Sequence, residues 1–582
     1  MDRRYSFLSF PERLDRWQRL LPYALLLSVT LALYATTLYF DFVWDDDVYI
    51  WKNYRIQGLS PLHLLAIWST TYLGHYASIQ HTFLAVLHHF SGMDPFGYHL
   101  GQLLVHAACV CLLYFLLKKL EAPRVAFLAS LLFAVHPTNI ETVAWISETK
   151  STLAFLFFLL SFWAFLRFRE KERWGDAILC ALFLVLSWLS KINTIVAPVI
   201  FLLYDYRQGT LKKRQLWHLA GFFLLSAIFV AIHLFSFYES GQALEETYYG
   251  GPGVHLLNIP LVLAFYPRMV LFPHPLSAWQ MMPIFERFNW VLGLGWLAWF
   301  GVAWLLYRAD RWIQFWALWF FVLLLPVLGI VPFGIWVADR YLYIPAIGAF
   351  MLASRLFFWV GDHLPRVMQR LGWELALGSV LLAFSWLTWK HLPVWHDNIA
   401  LWEDTTQYCM TSAYCHANLG LAHLRQGHIE RGVKELIRAV EIRPIPRYLT
   451  FLGDAYTISL RDYRQALIAY NMAWEQGGPD VNAGFYAKLA RYYLFVDNLD
   501  AASKAIQKGK TMNANDPALV VMEGFLQWKL GNLEEARLSL RRALFITQQT
   551  SNLVSFFSQY WPNENDVSRL LADLRSQPAA SR

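Results

Sequence analysis

Hydrophobic residues form long runs through the first two thirds of the chain, whereas the region after about Pro393 has the mixed composition of a soluble domain. A run of roughly 20 apolar residues is long enough to cross a bilayer as a helix. The pattern therefore predicts an all-α chain in two parts. A polytopic membrane domain covers residues 1–392, and a globular domain covers residues 393–582.

The apolar runs predict about eleven transmembrane helices. The first run, Leu21 to Phe40, has no small-residue cleavage site after it, so we expect a helix that stays in the membrane and not a signal peptide. Basic residues precede this run and recur in every second loop, which places the N-terminus in the cytoplasm. Pro260 and Pro267 favour a re-entrant segment over a full crossing at 256–273. The odd number of crossings then places the C-terminal domain on the external side.

Composition supports a membrane protein, because 57% of the 582 residues are hydrophobic and only 16% are charged. An average chain has about a quarter of charged residues. The net charge of +7 lies in short clusters between the apolar runs, so it reflects topology and argues against nucleic-acid binding. The five cysteines lack metal-site spacing, but Cys409 and Cys415 can pair in an oxidising compartment.

The C-terminal part contains small and large apolar residues that recur about every 34 residues. In the first unit, Gly420, Gly432, Leu436 and Ala439 occupy the positions expected where paired helices cross. This spacing predicts an α-solenoid of tetratricopeptide (TPR) helix pairs near 413–446, 447–480, 481–514 and 515–548. Such arrays present a concave binding surface, so the repeats indicate a protein partner.

Three consecutive carboxylates, Asp45, Asp46 and Asp47, stand near the start of the first external loop, residues 41–97. Anchoring at a membrane boundary needs aromatic rings such as that of Trp44, and it does not need acids. A carboxylate beside a low-dielectric slab can act as a general base, a metal ligand or a cation clamp. The alternative is a solvated loop with a negative cluster.

Further polar residues collect at helix ends on the same side. Ionisable groups near membrane depth are costly and indicate function, although a lone Lys or Arg at a helix end can be an interfacial anchor. The group suits a polyprenyl-phosphate donor, because Lys191 and Arg340 can neutralise the phosphate while a carboxylate deprotonates an acceptor hydroxyl. His99 can contact the donor headgroup. The other site candidates are His136, Glu141, Asp339 and Tyr343, with Glu148, Lys150 and Asn193 nearby in the sequence.

At these residues the chain resembles the transmembrane and tetratricopeptide-repeat containing O-mannosyltransferases, which have the GT-C glycosyltransferase fold. The resemblance is carried by DFVWDD at 41–46, FAVHPTNIETVA at 133–144, LSK at 189–191, YD at 204–205, YPRMVLFPHPL at 266–276 and LPVLGIVPFGIWVADRYLYIP at 325–345. It implies a catalytic pair, Asp45 and Asp46, with Asp45 as the base. The chain departs from the family pattern at two places, and the second bears on the donor sugar or the acceptor. Asp339 stands where the family has Glu, and Tyr76-Ala77-Ser78-Ile79 stands where it has Tyr-Arg-Pro-Leu.

The leading hypothesis is an inverting glycosyltransferase that moves a sugar, mannose by resemblance, from a polyprenyl-phosphate-linked donor to Ser or Thr hydroxyls of exported proteins engaged by the repeats. The alternatives are transfer to a lipid or surface polysaccharide, and a non-catalytic membrane scaffold whose repeats recruit partners. The sequence demands no cofactor and leaves a divalent metal open. Short loops and the absence of an Asn-x-Ser/Thr sequon favour a bacterial inner membrane with periplasmic repeats over an endoplasmic-reticulum membrane with lumenal repeats.

Overall fold

Helices joined by short turns make up most of the protein. A computed structural model describes residues 16–72, 76–239, 251–329, 335–364, 372–547 and 553–576. No β-strand occurs within these ranges, which confirms the all-α prediction. The basic residues before Arg16, and positions 330–334 of the motif at 325–345, fall outside the described residues.

The chain divides into two units. The first comprises Met1–Trp51 and Ile56–Asp397, and the second comprises Lys52–Arg55 and Asn398–Arg582. The first unit therefore contains the apolar runs, and the second contains the region with repeat spacing.

Seven described helices of the first unit are long and apolar enough to cross a membrane, as expected of a membrane protein. This is fewer than the roughly eleven crossings predicted. Several apolar segments form shorter helices, such as Pro123–Val135 with 13 residues and Trp174–Trp188 with 15. The described helices of this unit with 12 or more residues are Arg16–Tyr34, Ser78–Ser91, Pro95–Leu120, Pro123–Val135, Thr149–Lys171, Trp174–Trp188, Ala197–Gln208, Lys213–Glu239, Pro252–Leu271, Trp290–Arg308, Arg311–Leu324, Ala346–His363 and Gly372–His391.

The segment predicted to be re-entrant is a continuous helix, Pro252–Leu271, with Pro260 and Pro267 inside it. The expectation of irregular backbone there is wrong. A proline removes one helical hydrogen bond, and apolar helices of membrane proteins tolerate that loss because neighbouring groups satisfy the freed carbonyl. Its length of 20 residues is compatible with a full crossing.

Short helices occupy residues 137–148, between two long helices, and carry Glu141 and Glu148. Two side-chain hydrogen bonds hold this segment in place, one from a residue outside it and one from a residue within it. The Gln102 amide donates to the Thr142 carbonyl at 2.5 Å, and the Asn139 amide donates to the Phe133 carbonyl at 2.6 Å. Because backbone polar groups near membrane depth need partners, these bonds allow a broken helix to remain in the interior.

The second unit contains consecutive helix–turn–helix pairs. They are Ala413–Arg425 with Ile429–Ile442, Pro446–Ala455 with Tyr463–Gln476, Ala483–Phe495 with Leu499–Met512, and Pro517–Lys529 with Leu533–Thr547. Helix Asn398–Tyr408 precedes them, and Leu553–Ser558 and Glu564–Ser576 follow. The pairs begin close to the predicted repeat starts, and their assignment as tetratricopeptide repeats stays a prediction from the spacing.

Close contact inside the first pair explains its two glycines. A Cβ on Gly420 would lie 2.8 Å from the Gly432 carbonyl oxygen and 3.1 Å from the Leu436 nitrogen. The two helices therefore touch through their backbones, which a larger side chain would prevent. Cys409, which precedes this pair, forms a disulfide with Cys415 in the pair's first helix.

Candidate active site

Asp46 fixes the acid loop, which we define as residues 41–51. Its buried carboxylate accepts hydrogen bonds from the Ser147 backbone N–H at 2.8 Å, the Ser147 hydroxyl at 2.5 Å and the Val43 backbone N–H at 3.1 Å. Burial raises the pKa of Asp46 to about 7, and the hydrogen bonds from Ser147 and Val43 oppose that rise. Asp46 thus joins the loop to a position far along the chain.

Asp45, the next carboxylate, is in a different environment. It is half-buried, and in the part of the chain that the structure describes no group donates a hydrogen bond to its carboxylate. Burial raises the pKa of Asp45 to about 6, Lys150 and Arg340 act to lower it, and Asp47 acts to raise it. The Asp45 oxygens are therefore available to a partner from outside the protein.

The residue between Val43 and Asp45 holds the loop in an uncommon conformation. Trp44 has φ +53°, a left-handed backbone that is rare for a bulky side chain. Its ring stacks on that of Trp145, with centroids 4.4 Å apart and planes 6° from parallel. The Arg340 guanidinium lies over both rings, 5.6 Å from Trp44 and 5.5 Å from Trp145. This stack fixes the direction in which the Asp45 side chain projects from the loop.

Three cationic side chains lie around the Glu148 carboxylate. Its Oε2 accepts a hydrogen bond from Lys191 Nζ at 2.8 Å, and its Oε1 lies 3.6 Å from both Lys150 Nζ and Arg340 Nε. Lys191 Nζ also donates to the Ser151 hydroxyl at 2.8 Å, and that hydroxyl contacts Glu148. Three positive groups share this carboxylate, so their charge is only partly neutralised by it.

Arg340 has a second carboxylate partner, Glu141. The Arg340 backbone N–H donates to Glu141 Oε2 at 2.8 Å, and its guanidinium Nη1 donates to Glu141 Oε1. All of these groups are nearly inaccessible to solvent. Two bonds from one carboxylate fix both the backbone and the side chain of Arg340.

A small pocket, partly open to solvent, is lined by two of these cations, Lys191 and Arg340. Its polar lining consists of Ser151, Lys191, Asn193, Arg340, Tyr341 and Tyr343. Apolar residues complete the wall: Ala154, Leu323, Ile344 and Pro345. Two cations and no acid line this pocket among the described residues, so it is suited to an anion with an apolar tail.

Two of the histidines predicted at the site lie elsewhere. His99 packs edge-to-face on Phe40, with centroids 6.1 Å apart, and does not line the pocket. His136 uses both ring nitrogens inside the protein, contacting the Thr138 hydroxyl at 2.8 Å and the Val270 carbonyl at 3.0 Å. The structure therefore brings together Lys191, Arg340 and Glu141 but not these histidines.

Tyr343 lines the pocket itself, and Asp339 lines a smaller cavity. Asp339 Oδ1 accepts from the Gln280 amide at 3.0 Å and lies beside Glu141 in a smaller cavity. Burial and the nearby Glu141 raise the pKa of Asp339. The Tyr343 hydroxyl bonds to His106 Nδ1 at 2.7 Å. Tyr343 therefore contributes a pocket wall that is tethered to the helix behind it.

Two serines are important to this arrangement and were missed by sequence reasoning. Ser147 donates hydrogen bonds to the Asp46 carboxylate, and the Ser151 hydroxyl lies between Glu148 and Lys191. A usable signal existed only for Ser151, which follows Glu148 by three residues and so shares its helix face. Ser147 has no such signal, because its partner is distant in sequence.

The described residues contain no group of three or more His, Cys, Asp or Glu side chains that could hold a metal ion. The divalent metal that the sequence left open therefore has no fitting ligand set within the described ranges.

Comparison with known proteins gives one family match. A model described as dolichyl-phosphate-mannose-protein mannosyltransferase matches residues 79–233. This stretch contains Glu141, Glu148 and Lys191, and it contains neither Asp45 nor Arg340.

Individual proteins are similar to a larger part of the chain than the family model is. Protein O-mannosyl-transferase F38B6.6 of Caenorhabditis elegans is 24% identical over 466 residues, which is 75% of this chain and 64% of that protein. Protein O-mannosyl-transferase TMTC3 of Homo sapiens is 23% identical over 607 residues, 91% of this chain and 64% of that protein. Protein O-mannosyl-transferase TMTC4 of Homo sapiens is 31% identical over 172 residues, 25% of this chain and 23% of that protein.

The chain spans 64% of the length of the first two relatives, a little under two thirds. The apolar helices of the first unit agree with the membrane protein that these matches imply. The resemblance predicted from the sequence is confirmed as a similarity: the chain is similar to proteins named as protein O-mannosyl-transferases and to the dolichyl-phosphate-mannose-protein mannosyltransferase model.

Proposed function

We propose that the protein is an inverting glycosyltransferase. It moves a sugar, mannose by analogy with the names of its relatives, from a polyprenyl-phosphate-linked donor to Ser or Thr hydroxyls of exported proteins. The observation that carries the proposal is Asp45, a half-buried carboxylate that accepts no hydrogen bond from the described residues and interacts electrostatically with Arg340, which lines a pocket together with Lys191. A base and a phosphate site next to each other are the two parts that this transfer requires.

The phosphate of the donor binds in the pocket, against the Lys191 ammonium and the Arg340 guanidinium. Negative charge grows on the phosphate as the glycosidic bond breaks, and fixed cations in a poorly hydrated site stabilise it. Glu148 and Glu141 hold these two cations in place before the donor arrives. The apolar wall, which includes Leu323 and Ile344, accommodates the start of the polyprenyl chain.

Asp45 acts on the acceptor. Its carboxylate takes the proton from the Ser or Thr hydroxyl while the hydroxyl oxygen forms a bond to the anomeric carbon of the sugar. The bond from that carbon to the phosphate oxygen breaks, and polyprenyl phosphate leaves. Attack from the side opposite the phosphate inverts the anomeric configuration. General base catalysis of this kind contributes roughly 10²–10⁴-fold to a rate.

Other residues predicted at the site position Asp45 and Arg340. Asp46 positions Asp45 through Ser147, and Glu141 positions Arg340. Tyr343 forms part of the pocket wall, and Asp339 braces the same turn through Gln280. His99 and His136 pack near the acid loop and within the helical interior, so we assign them no contact with the donor. We derive no step through a metal.

The repeats engage the protein acceptor, which favours this activity over transfer to a lipid or polysaccharide and over a purely scaffolding role. We place the N-terminus in the cytoplasm and the repeats on the opposite side, in the periplasm of a bacterial inner membrane or, as the alternative, in the lumen of the endoplasmic reticulum. The ground for the repeats is the disulfide and not the number of crossings, because Pro252–Leu271 is a continuous helix. The Cys409–Cys415 disulfide supports an oxidising compartment for the second unit.

The test is Asp45→Asn, which keeps the shape of the side chain and removes its ability to accept a proton. Purified full-length protein is assayed with polyprenyl-phosphate mannose and a Ser/Thr-rich peptide. We expect transfer to fall by roughly 10²–10⁴-fold with donor binding near that of the wild type.

Asp47→Asn is the matched control, because it removes one acid from the same cluster outside the proposed pair. It should retain most of the activity. Full turnover by the Asp45→Asn protein would remove the catalytic role of this residue. Wild-type protein that transfers no sugar from any polyprenyl-phosphate donor would overturn the proposed function as a whole.

A further inference from the structure

Asn193 lines the proposed donor pocket beside Lys191 and Arg340. It is half-buried, and its carboxamide forms no hydrogen bond within the described ranges of the chain. Because Asn193 is only partly buried, its carboxamide is open to water, and a ligand that enters the pocket can replace that water.

The backbone on both sides of Asn193 is fixed. On one side, the Lys191 backbone N–H donates to the Ser187 carbonyl at 3.0 Å. On the other side, the Thr194 hydroxyl bonds to the Ser187 hydroxyl at 2.6 Å, and the Trp188 ring nitrogen donates to the Thr194 carbonyl at 3.1 Å. These bonds hold the backbone that carries Asn193, which suits a residue that must discriminate between ligands.

The chemistry of a carboxamide distinguishes its ligand from that of the two cations. Lys191 and Arg340 only donate hydrogen bonds, and phosphate oxygens only accept them. A carboxamide both donates and accepts, so a phosphate would leave its oxygen without a partner. Sugar hydroxyls donate and accept as well, and they satisfy both ends of the amide.

We propose that Asn193 binds hydroxyl groups of the donor's sugar and thereby helps to select it. The proposal rests on the proposed function, since it concerns the same pocket. It separates two tasks within that pocket: the cations bind the phosphate of every polyprenyl-phosphate compound, while Asn193 responds only when a sugar is attached.

The experiment compares two ligands on full-length protein in detergent: polyprenyl-phosphate mannose and polyprenyl phosphate without a sugar. Dissociation constants are measured for the wild type, Asn193→Ala, Asn193→Gln and Lys191→Ala. We expect Asn193→Ala to weaken binding of the glycosylated donor by about tenfold and to leave binding of polyprenyl phosphate unchanged. Lys191→Ala should weaken both ligands.

Asn193→Gln keeps the carboxamide and should recover part of the lost donor affinity, which a purely structural role would not predict. The inference is wrong if Asn193→Ala weakens both ligands equally, or weakens neither, while the wild type binds both. Wild-type protein that binds neither ligand would instead contradict the proposed function, so the two failures are distinct.

Discussion

Asp45 and Asp46 are identical side chains one residue apart, and their surroundings give them different roles. Three hydrogen-bond donors occupy the Asp46 carboxylate, all from Ser147 and Val43. The Asp45 carboxylate has no such donors among the described residues and faces Lys150 and Arg340. A buried carboxylate that is fully hydrogen-bonded holds structure together, whereas one that retains free lone pairs can take a proton.

The pKa of Asp45 predicts how the transfer depends on pH. Burial raises this pKa from 3.8 to about 6, and only the ionised carboxylate can accept a proton. We therefore expect kcat/KM to be constant near neutral pH and to fall about tenfold per pH unit below about pH 6. The measurement is a pH–rate profile with a polyprenyl-phosphate sugar, whose phosphodiester does not titrate in this range.

Donor binding measured over the same pH range is the control, and it should not follow the activity. A profile that stays flat to pH 4.5 would mean that the rate does not depend on a carboxylate with this pKa.

At the scale of helices, close packing inside the membrane unit is set by single glycines. Helix Ala346–His363 meets helix Arg311–Leu324 at Gly348, where an added Cβ would lie 2.2 Å from the Trp316 carbonyl oxygen and 3.0 Å from the Phe320 nitrogen. Both neighbours are backbone atoms, which cannot rotate away. Small residues that allow backbones to approach are typical of helix contacts in membranes.

We expect Gly348→Ala to lower the free energy of unfolding by about 1–3 kcal/mol, because the two helices must move apart. The measurement is thermal unfolding of the purified protein in detergent. Gly378→Ala is the matched control in helix Gly372–His391, since nothing lies within 4 Å of a Cβ there. An equal response from the two variants would contradict the contact described at Gly348.

For the whole molecule, the sequence predicted the helical membrane class because the lengths of the apolar runs are dictated by bilayer thickness. It also selected Lys191 and Arg340, which the structure places in one pocket. The continuous helix through Pro260 was not foreseen, because tolerance of a proline depends on neighbouring helices. The resemblance already named Asp45 as the base, but the physical reason that separates it from Asp46 was not foreseen, since it depends on Ser147, 101 residues away.

The Cys409–Cys415 pair makes a prediction about the compartment of the second unit. Disulfides persist in oxidising compartments and are rare in the cytosol. We expect mass spectrometry of cells alkylated before lysis to find Cys409 and Cys415 joined in a non-reduced peptide. Cys180, a buried free thiol of the first unit, is the internal control and should appear unlinked. Alkylation of Cys409 and Cys415 without reductant would contradict an exported second unit.

The sequence distances within the ion network determine when it can close during synthesis. Asp46 must wait for Ser147, 101 residues later, and Glu141 must wait for Arg340, 199 residues later. At a translation rate of about 5–20 residues per second, the second delay lasts roughly 10–40 s. During that interval Glu141 already has its place in the chain but lacks its guanidinium partner, and an unpaired acid is unstable at membrane depth. The segment around Glu141 must therefore stay in contact with water, or with the insertion machinery, until the arginine has been made. The rate of translation therefore determines when the site can assemble.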